Sequence, residues 1–126
     1  QNVFYTLREM RYPGIGPFLA YEIASDLRHY PYFNLTKDVF SWANIGPGCS
    51  RGLRRLGREP NLLALRDLFS EICPARLSPR LIAHWMLRED PPFELRELEH
   101  SLCEFDKYQR VATGAGAPRE RFHGGH

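Results

Sequence analysis

Glycine and proline interrupt this chain so often that no regular element can run far. "RYPGIGP", "NIGPGC", "CPARLSP" and "EDPPFE" cut it into short pieces. Proline removes a backbone donor and fixes φ, and glycine weakens any element interior, so each cluster marks a break. Between the breaks apolar residues recur at offsets of three and four, not two, and no strand pattern persists. The pattern predicts an all-α fold, a compact domain of short helices spanning residues 1–112. Residues 113–126, "TGAGAPRERFHGGH", carry no periodicity and read as a disordered tail.

Residues 3–10 read as the end of a helix. Pro17 suits the first turn of the next, where its missing N–H costs nothing. In that second helix Ala20, Ile23, Ala24 and Leu27 form an apolar stripe, with Glu22, Ser25, Asp26 and His29 facing away. "HYPYFNLTKD" is a loop. "SRGLRRLGR" is a short basic helix ending near Gly57, with Leu53 and Leu56 turned inward. Leu62, Leu65, Leu68, Phe69 and Ile72 mark a fourth helix, and "RLIAHWML" a further short one with Trp85 in the core. Leu95, Leu98, Leu102 and Phe105 define the longest late helix.

A 43% hydrophobic content in 126 residues supports one globular domain with a core. Mean hydropathy is −0.44, and no apolar run approaches the ~20 residues of a membrane span, so no membrane partner is expected. The first residues show no signal peptide, and the missing initiator Met suggests a mature or excised fragment. Three cysteines, Cys49, Cys73 and Cys103, form neither a disulfide framework nor a zinc knuckle. Reduced thiols point to an intracellular protein, nuclear in a eukaryote. Cys73, His84, His100 and Cys103 match no compact metal site, so neither metal nor cofactor is expected. A formal charge of +2 is too small to imply nucleic acid from the total.

Charge distribution says more. A Gly-X-Gly bend directly before a helix turns backbone N–H groups outward, and the helix N-terminus adds partial positive charge. Gly14, Ile15 and Gly16 could therefore cradle a phosphate, or the glycines could simply shape a helix–helix connector. The second Gly-Pro turn, Gly46 to Gly48, feeds a helix carrying Arg51, Arg54, Arg55 and Arg58. Arg51, Arg55 and Arg58 share one helical face, and guanidinium groups grip phosphate oxygens in a fork. The alternative is a solvated basic face pairing with Glu59 or Asp67. On the last helix Glu99, Cys103, Asp106 and Arg110 share a side, Asp106 can pair with Arg110, and Glu104 can reach Tyr108. Taken alone, such a polar helix would only pack and solubilise.

"YPGIGPFLAYEIA" resembles the hairpin and second helix of the helix-hairpin-helix motif, in the form carried by DNA glycosylases of the endonuclease III type. The resemblance implies a grip on the phosphates of one DNA strand without base reading. Those enzymes place a catalytic aspartate a little past the second helix, where this chain has Asp38; an ordinary helix cap is the competing reading, with Thr36 as rival. Lyase-type members carry a lysine where this chain has Phe18, so a Schiff base at that position is excluded.

Together, "PGIGPFLAYEIASDL", "IGPGCSRGL" and "CEFDKYQR" resemble a narrower family, the helical domain associated with 5-hydroxymethyluracil DNA kinases. That family overlaps the proposed glutamyl/putrescinyl-thymine pyrophosphorylases. The resemblance implies a DNA-binding, glycosylase-like domain in thymine hypermodification, where an amine or amino acid replaces the phosphate on hydroxymethyluracil. The base would leave the stack to be reached. Asp38, Glu104 or Asp106 would then activate the nucleophile. Gly14, Ile15, Gly16, Gly46, Gly48, Arg51, Arg54, Arg55 and Lys107 would hold phosphates. Trp42 would stack on the base, with Phe40, Tyr32 and Tyr30 as further candidates. No GxxxxGK[ST] is present, so this chain is no P-loop kinase, and a separate kinase or modifying domain is the expected partner beside DNA. The alternative function is a non-catalytic helix-hairpin-helix module that grips DNA while another domain does the chemistry. Few residues precede the hairpin, which favours that alternative.

Overall fold

The computed structural model describes residues 2–10, 12–33, 38–72 and 93–117. Among them are five α-helices and no strand: α1 (Asn2–Glu9), α2 (Pro17–Leu27), α3 (Pro47–Arg55), α4 (Leu62–Ile72) and α5 (Leu95–Ala112). A 3-10 turn covers Pro31–Phe33. The expected helix at "RLIAHWML" and Trp85 lie outside the described residues.

The Gly-Pro pairs start two of these helices in the same way. Gly16 and Gly46 are extended N-caps, at φ −79° and ψ 177° and at φ −79° and ψ 172°, with Pro17 and Pro47 at the first helical positions. Neither cap supplies a side-chain acceptor. α3 therefore begins at Pro47, earlier than the basic run alone suggests.

The closest packing joins α3 to α5. Gly48 and Gly52 lie one helical turn apart on the face of α3 that meets α5. A Cβ on Gly48 would stand 2.9 Å from Cys103 Sγ, and one on Gly52 would stand 2.6 Å from the Leu102 carbonyl oxygen. Backbone thus sits on backbone, and Cys49 and Leu53 fill the flanks of the seam with Leu98 and Leu102. α1 packs on α2, with Phe4 at the centre of an aromatic group formed with Tyr5, Tyr21 and Trp42. Phe69 stacks on Phe93 where α4 approaches the start of α5.

The buried face of α2 differs from the expected stripe. Ala20, Tyr21, Ser25 and Arg28 are buried, whereas Ile23, Ala24 and Leu27 are half-buried. An ionic tether explains the rotation. Arg28 reaches Glu94 Oε1 through Nε at 2.9 Å and Nη2 at 2.7 Å, and Arg96 donates to Glu94 Oε2 at 3.2 Å. Arg96 also donates to the Ser25 carbonyl at 2.8 Å. The head of α5 therefore docks on the polar side of α2. A buried carboxylate with two guanidinium partners is tolerable where either alone would be costly.

Leu56 is also placed differently, at 46% exposed. α3 ends at Arg55, Leu56 is its C-cap at φ −89° and ψ 8°, and Gly57, at φ 71°, turns the chain away directly after it.

Gly52→Ala is expected to lower stability by roughly 2–3 kcal/mol, because the new methyl meets a backbone carbonyl that cannot move aside. Gly16→Ala, with open space around it, should change stability by less than about 1 kcal/mol. Thermal or urea melts of the two variants check the contrast.

Candidate functional site

α2, the head of α3 and the middle of α5 enclose a cleft of about 590 Å³. Pro17, Phe18, Tyr21 and Glu22 come from α2, Asn44 to Gly48 and Arg51 from the second Gly-Pro turn and α3, and Glu99, His100, Cys103, Glu104 and Lys107 from α5. Both helix heads contribute to its wall. Their partial positive charge and the cations Arg51 and Lys107 face three carboxylates, Glu22, Glu99 and Glu104, across one space.

Glu99 is the unusual member. It is 3% exposed. Cys103 donates its thiol to Oε1 at 3.3 Å, and the Gly46 amide also faces this carboxylate. Oε2 has no hydrogen-bond partner. His100 Nε2 lies 3.5 Å from Glu99 Oε2 and 3.5 Å from Glu22 Oε1, beyond good hydrogen-bond distance from both. Burial pushes the Glu99 carboxyl above its ordinary value, against the opposing effects of the Cys103 bond, His100 and the Gly46 amide. An imidazole between two carboxylates, one of them disposed to hold a proton, is suited to accept or pass on a proton.

Cys49 and Cys103 do not supply nucleophiles. Burial, then the Glu99 charge, push the Cys103 thiol up to about 12, and the same causes raise Cys49. Both are therefore thiols rather than reactive thiolates near neutrality. Among the described residues no group of three or more His, Cys, Asp or Glu is arranged to hold a metal ion.

Asp106 sits beside the cleft, wholly buried, with Oδ2 accepting from Arg51 Nε at 2.6 Å and Oδ1 from Arg55 Nε at 2.8 Å. Burial alone would raise its pKa, but the bonds and charges of Arg51 and Arg55 outweigh it and hold the carboxyl below the ordinary range. Asp106 therefore pairs across helices, not with Arg110, and both of its oxygens are occupied. Arg51 remains 46% exposed, so its guanidinium is oriented by Asp106 while still reaching the cleft. Glu104 pairs with Lys107 rather than reaching Tyr108. Arg58 pairs with Glu71, not with Glu59 or Asp67, and Arg54 is exposed.

Of the residues singled out in the sequence, the cleft gathers Gly46, Gly48, Arg51, Glu104 and Lys107. It does not gather Asp38 or Trp42. Both line a second cavity of about 80 Å³ beside the Arg28–Glu94–Arg96 tether. Trp42 is enclosed by the rings of Phe4, Tyr5 and Tyr21 at 5.4, 6.3 and 6.0 Å, a packing role. Gly14, Ile15 and Gly16 form an open turn at the head of α2, with Gly14 at φ 86°. The Ile15 N–H is donated back to the Tyr12 carbonyl at 3.1 Å, so that amide is engaged within the turn. Gly14 and Gly16 are exposed, with open space around both. Glu22, Asn44 and His100 are cleft residues that the sequence pattern did not single out. Glu99 and Asp106 do share a face of α5, but only the landing of α3 there separates one free carboxylate oxygen from one sequestered pair.

Fold and cleft together define an all-helical domain with a ligand-sized, mixed-charge site where two helix heads converge. Its residues 1–117 match the family described as "5-hmdU DNA kinase, helical domain", and the chain belongs to that family. Membership ties it to thymine modification in DNA, as a helical domain associated with a kinase. No curated protein and no solved structure matches the chain.

Two pH effects of opposite sign follow. Asp106 stabilises the fold fully above the ordinary carboxylate value of 3.8, and that stabilisation disappears as pH falls through its lower folded value. Asp106→Asn should cost about 2–3 kcal/mol at neutral pH, less than a fully buried pair because both arginines reach solvent, and should flatten the acid limb. Glu99, with its raised value, favours the fold at low pH and loses that contribution as pH rises through the folded pKa. Glu99→Gln should therefore gain stability relative to wild type from acid toward neutral pH. Urea melts over a pH series check both signs.

Proposed function

We propose that this domain binds DNA through its phosphates and admits an extruded thymine-derived nucleotide, hydroxymethyluracil or its phosphorylated form, into the α2–α3–α5 cleft. The observation that carries the reading is the buried Glu99 carboxyl in the wall of a nucleotide-sized cleft that Arg51 also lines. α1, the Gly14 turn and α2 act in this proposal as a helix-hairpin-helix. The exposed Gly14 and Gly16 approach one strand, and Arg54 and the outer edges of Arg51 and Arg55 meet phosphates nearby. Asp106 acts as a positioning residue that fixes the two arginines.

In the enzymatic form of the proposal, the domain catalyses substitution at the phosphorylated hydroxymethyl carbon. His100, set between Glu22 and Glu99, takes the proton from an incoming amine, the C–N bond forms, and the C–O bond to the phosphate or pyrophosphate breaks. The leaving group departs with the bonding electrons toward Arg51 and Lys107. Asp38, in the other cavity, has no step in this scheme. The second reading, a binding module beside a separate kinase domain, draws support from Asp106 and Glu104. Their carboxylates are already committed to cationic partners.

Fluorescence anisotropy with a duplex carrying one hydroxymethyluracil is the first test. Affinity should fall steeply with salt, and Arg54→Ala should reduce the slope of log K against log salt by about one. Salt-independent or absent binding removes the DNA reading. Nucleoside mass spectrometry of DNA bearing pyrophosphorylated hydroxymethyluracil, incubated with a primary amine, separates the two forms. An adduct made by wild type and lost in Glu99→Ala supports the enzyme, whereas binding without product supports the module.

A further inference from the structure

Phe18 is 76% exposed at the mouth of the cleft, and the fold gives it no packing role. Its ring contacts no other ring among the described residues. It is the second residue of α2, immediately after Gly16 and Pro17. Helical side chains lean toward the helix N-terminus, so the phenyl ring projects toward the Gly14 turn rather than down onto α2. It therefore stands between two features: the open turn with its exposed glycines, and the space lined by Glu22, Asn44 and Glu99. A large apolar group at a rim shared by a backbone-contacting loop and a nucleotide-sized cleft has an evident use on DNA.

We propose that Phe18 is the wedge that enters the base stack and fills the gap left when the target nucleotide turns into the cleft. This rests on the function proposed above and names a residue for its extrusion step. An extruded base leaves its two neighbours unstacked, and apolar side chains recover part of that loss by inserting between base steps. The aromatic alternatives are less well placed. Trp42 is enclosed by core rings, and Phe40 lies against Phe69. Tyr30 and Tyr32 are exposed, but neither lines the cleft. Phe18 alone among the exposed aromatics of the described residues borders both the turn and the cleft.

The test uses the full chain and a duplex with 2-aminopurine beside a single hydroxymethyluracil. Wild-type protein should raise 2-aminopurine fluorescence on binding, because the neighbour loses its stacking partner. Phe18→Ala should keep the fold and the salt slope, bind about tenfold more weakly, and lose the fluorescence rise. Phe18→Trp should restore the rise and the affinity. An undiminished rise in Phe18→Ala, with wild type binding normally, overturns the inference and leaves the DNA reading intact. A wild type that does not bind DNA overturns the DNA reading and the wedge together.

Discussion

The crossing of α3 over α5 governs the rest of the molecule. Gly48 and Gly52 let the two backbones approach closely enough that Cys103 and the Leu102 carbonyl occupy the place of side chains. That approach has two consequences. It brings Arg51 and Arg55 within reach of Asp106, and it sets the Gly46–Pro47 head of α3 over Glu99. A helix pair separated by ordinary side chains would leave Asp106 short of its arginines and Glu99 facing water. Packing and electrostatics are thus one arrangement here, with small residues providing the proximity that the charges exploit.

The two buried carboxylates on α5 show how environment divides identical chemistry. Asp106 and Glu99 lie on the same side of one helix, two turns apart. Asp106 meets two guanidinium groups and stays ionised; Glu99 meets a thiol, an amide and an imidazole at a distance, and burial favours its protonated form. The first joins helices. The second leaves a buried oxygen without a hydrogen bond in the wall of the cleft. At the other end of α5, Glu94 repeats the Asp106 solution with Arg28 and Arg96, so ion pairs hold this helix to α2 and α3 at separate points.

Much of the architecture was legible in advance. The apolar spacing from Leu62 to Ile72 reproduces α4 residue for residue, and Leu95, Leu98 and Leu102 are the buried stripe of α5. Motif order pointed to the family whose description the chain matches. The stripe of α2 was misread at Ser25 because a hydrophobic pattern cannot register a carbonyl that receives an arginine from seventy-one positions away. Asp106 was paired with Arg110 because neighbours on one helix are visible in sequence, whereas partners on α3 are not. Within the candidate cleft, Gly46, Gly48, Arg51, Glu104 and Lys107 were legible from turns and charge. Asn44, Glu22 and His100 were not, since nothing local to any of them signals a shared space.

The sequence by itself determined the helical class, the breaks between helices and the Gly-Pro head of α2. Those follow from backbone stereochemistry and short-range periodicity, which act over a few residues. Only the tertiary structure decided which carboxylate is sequestered, which keeps an unpaired oxygen, and which aromatic stands exposed at the rim. Burial and charge pairing depend on what arrives from distant parts of the chain, and a one-dimensional pattern does not carry that information.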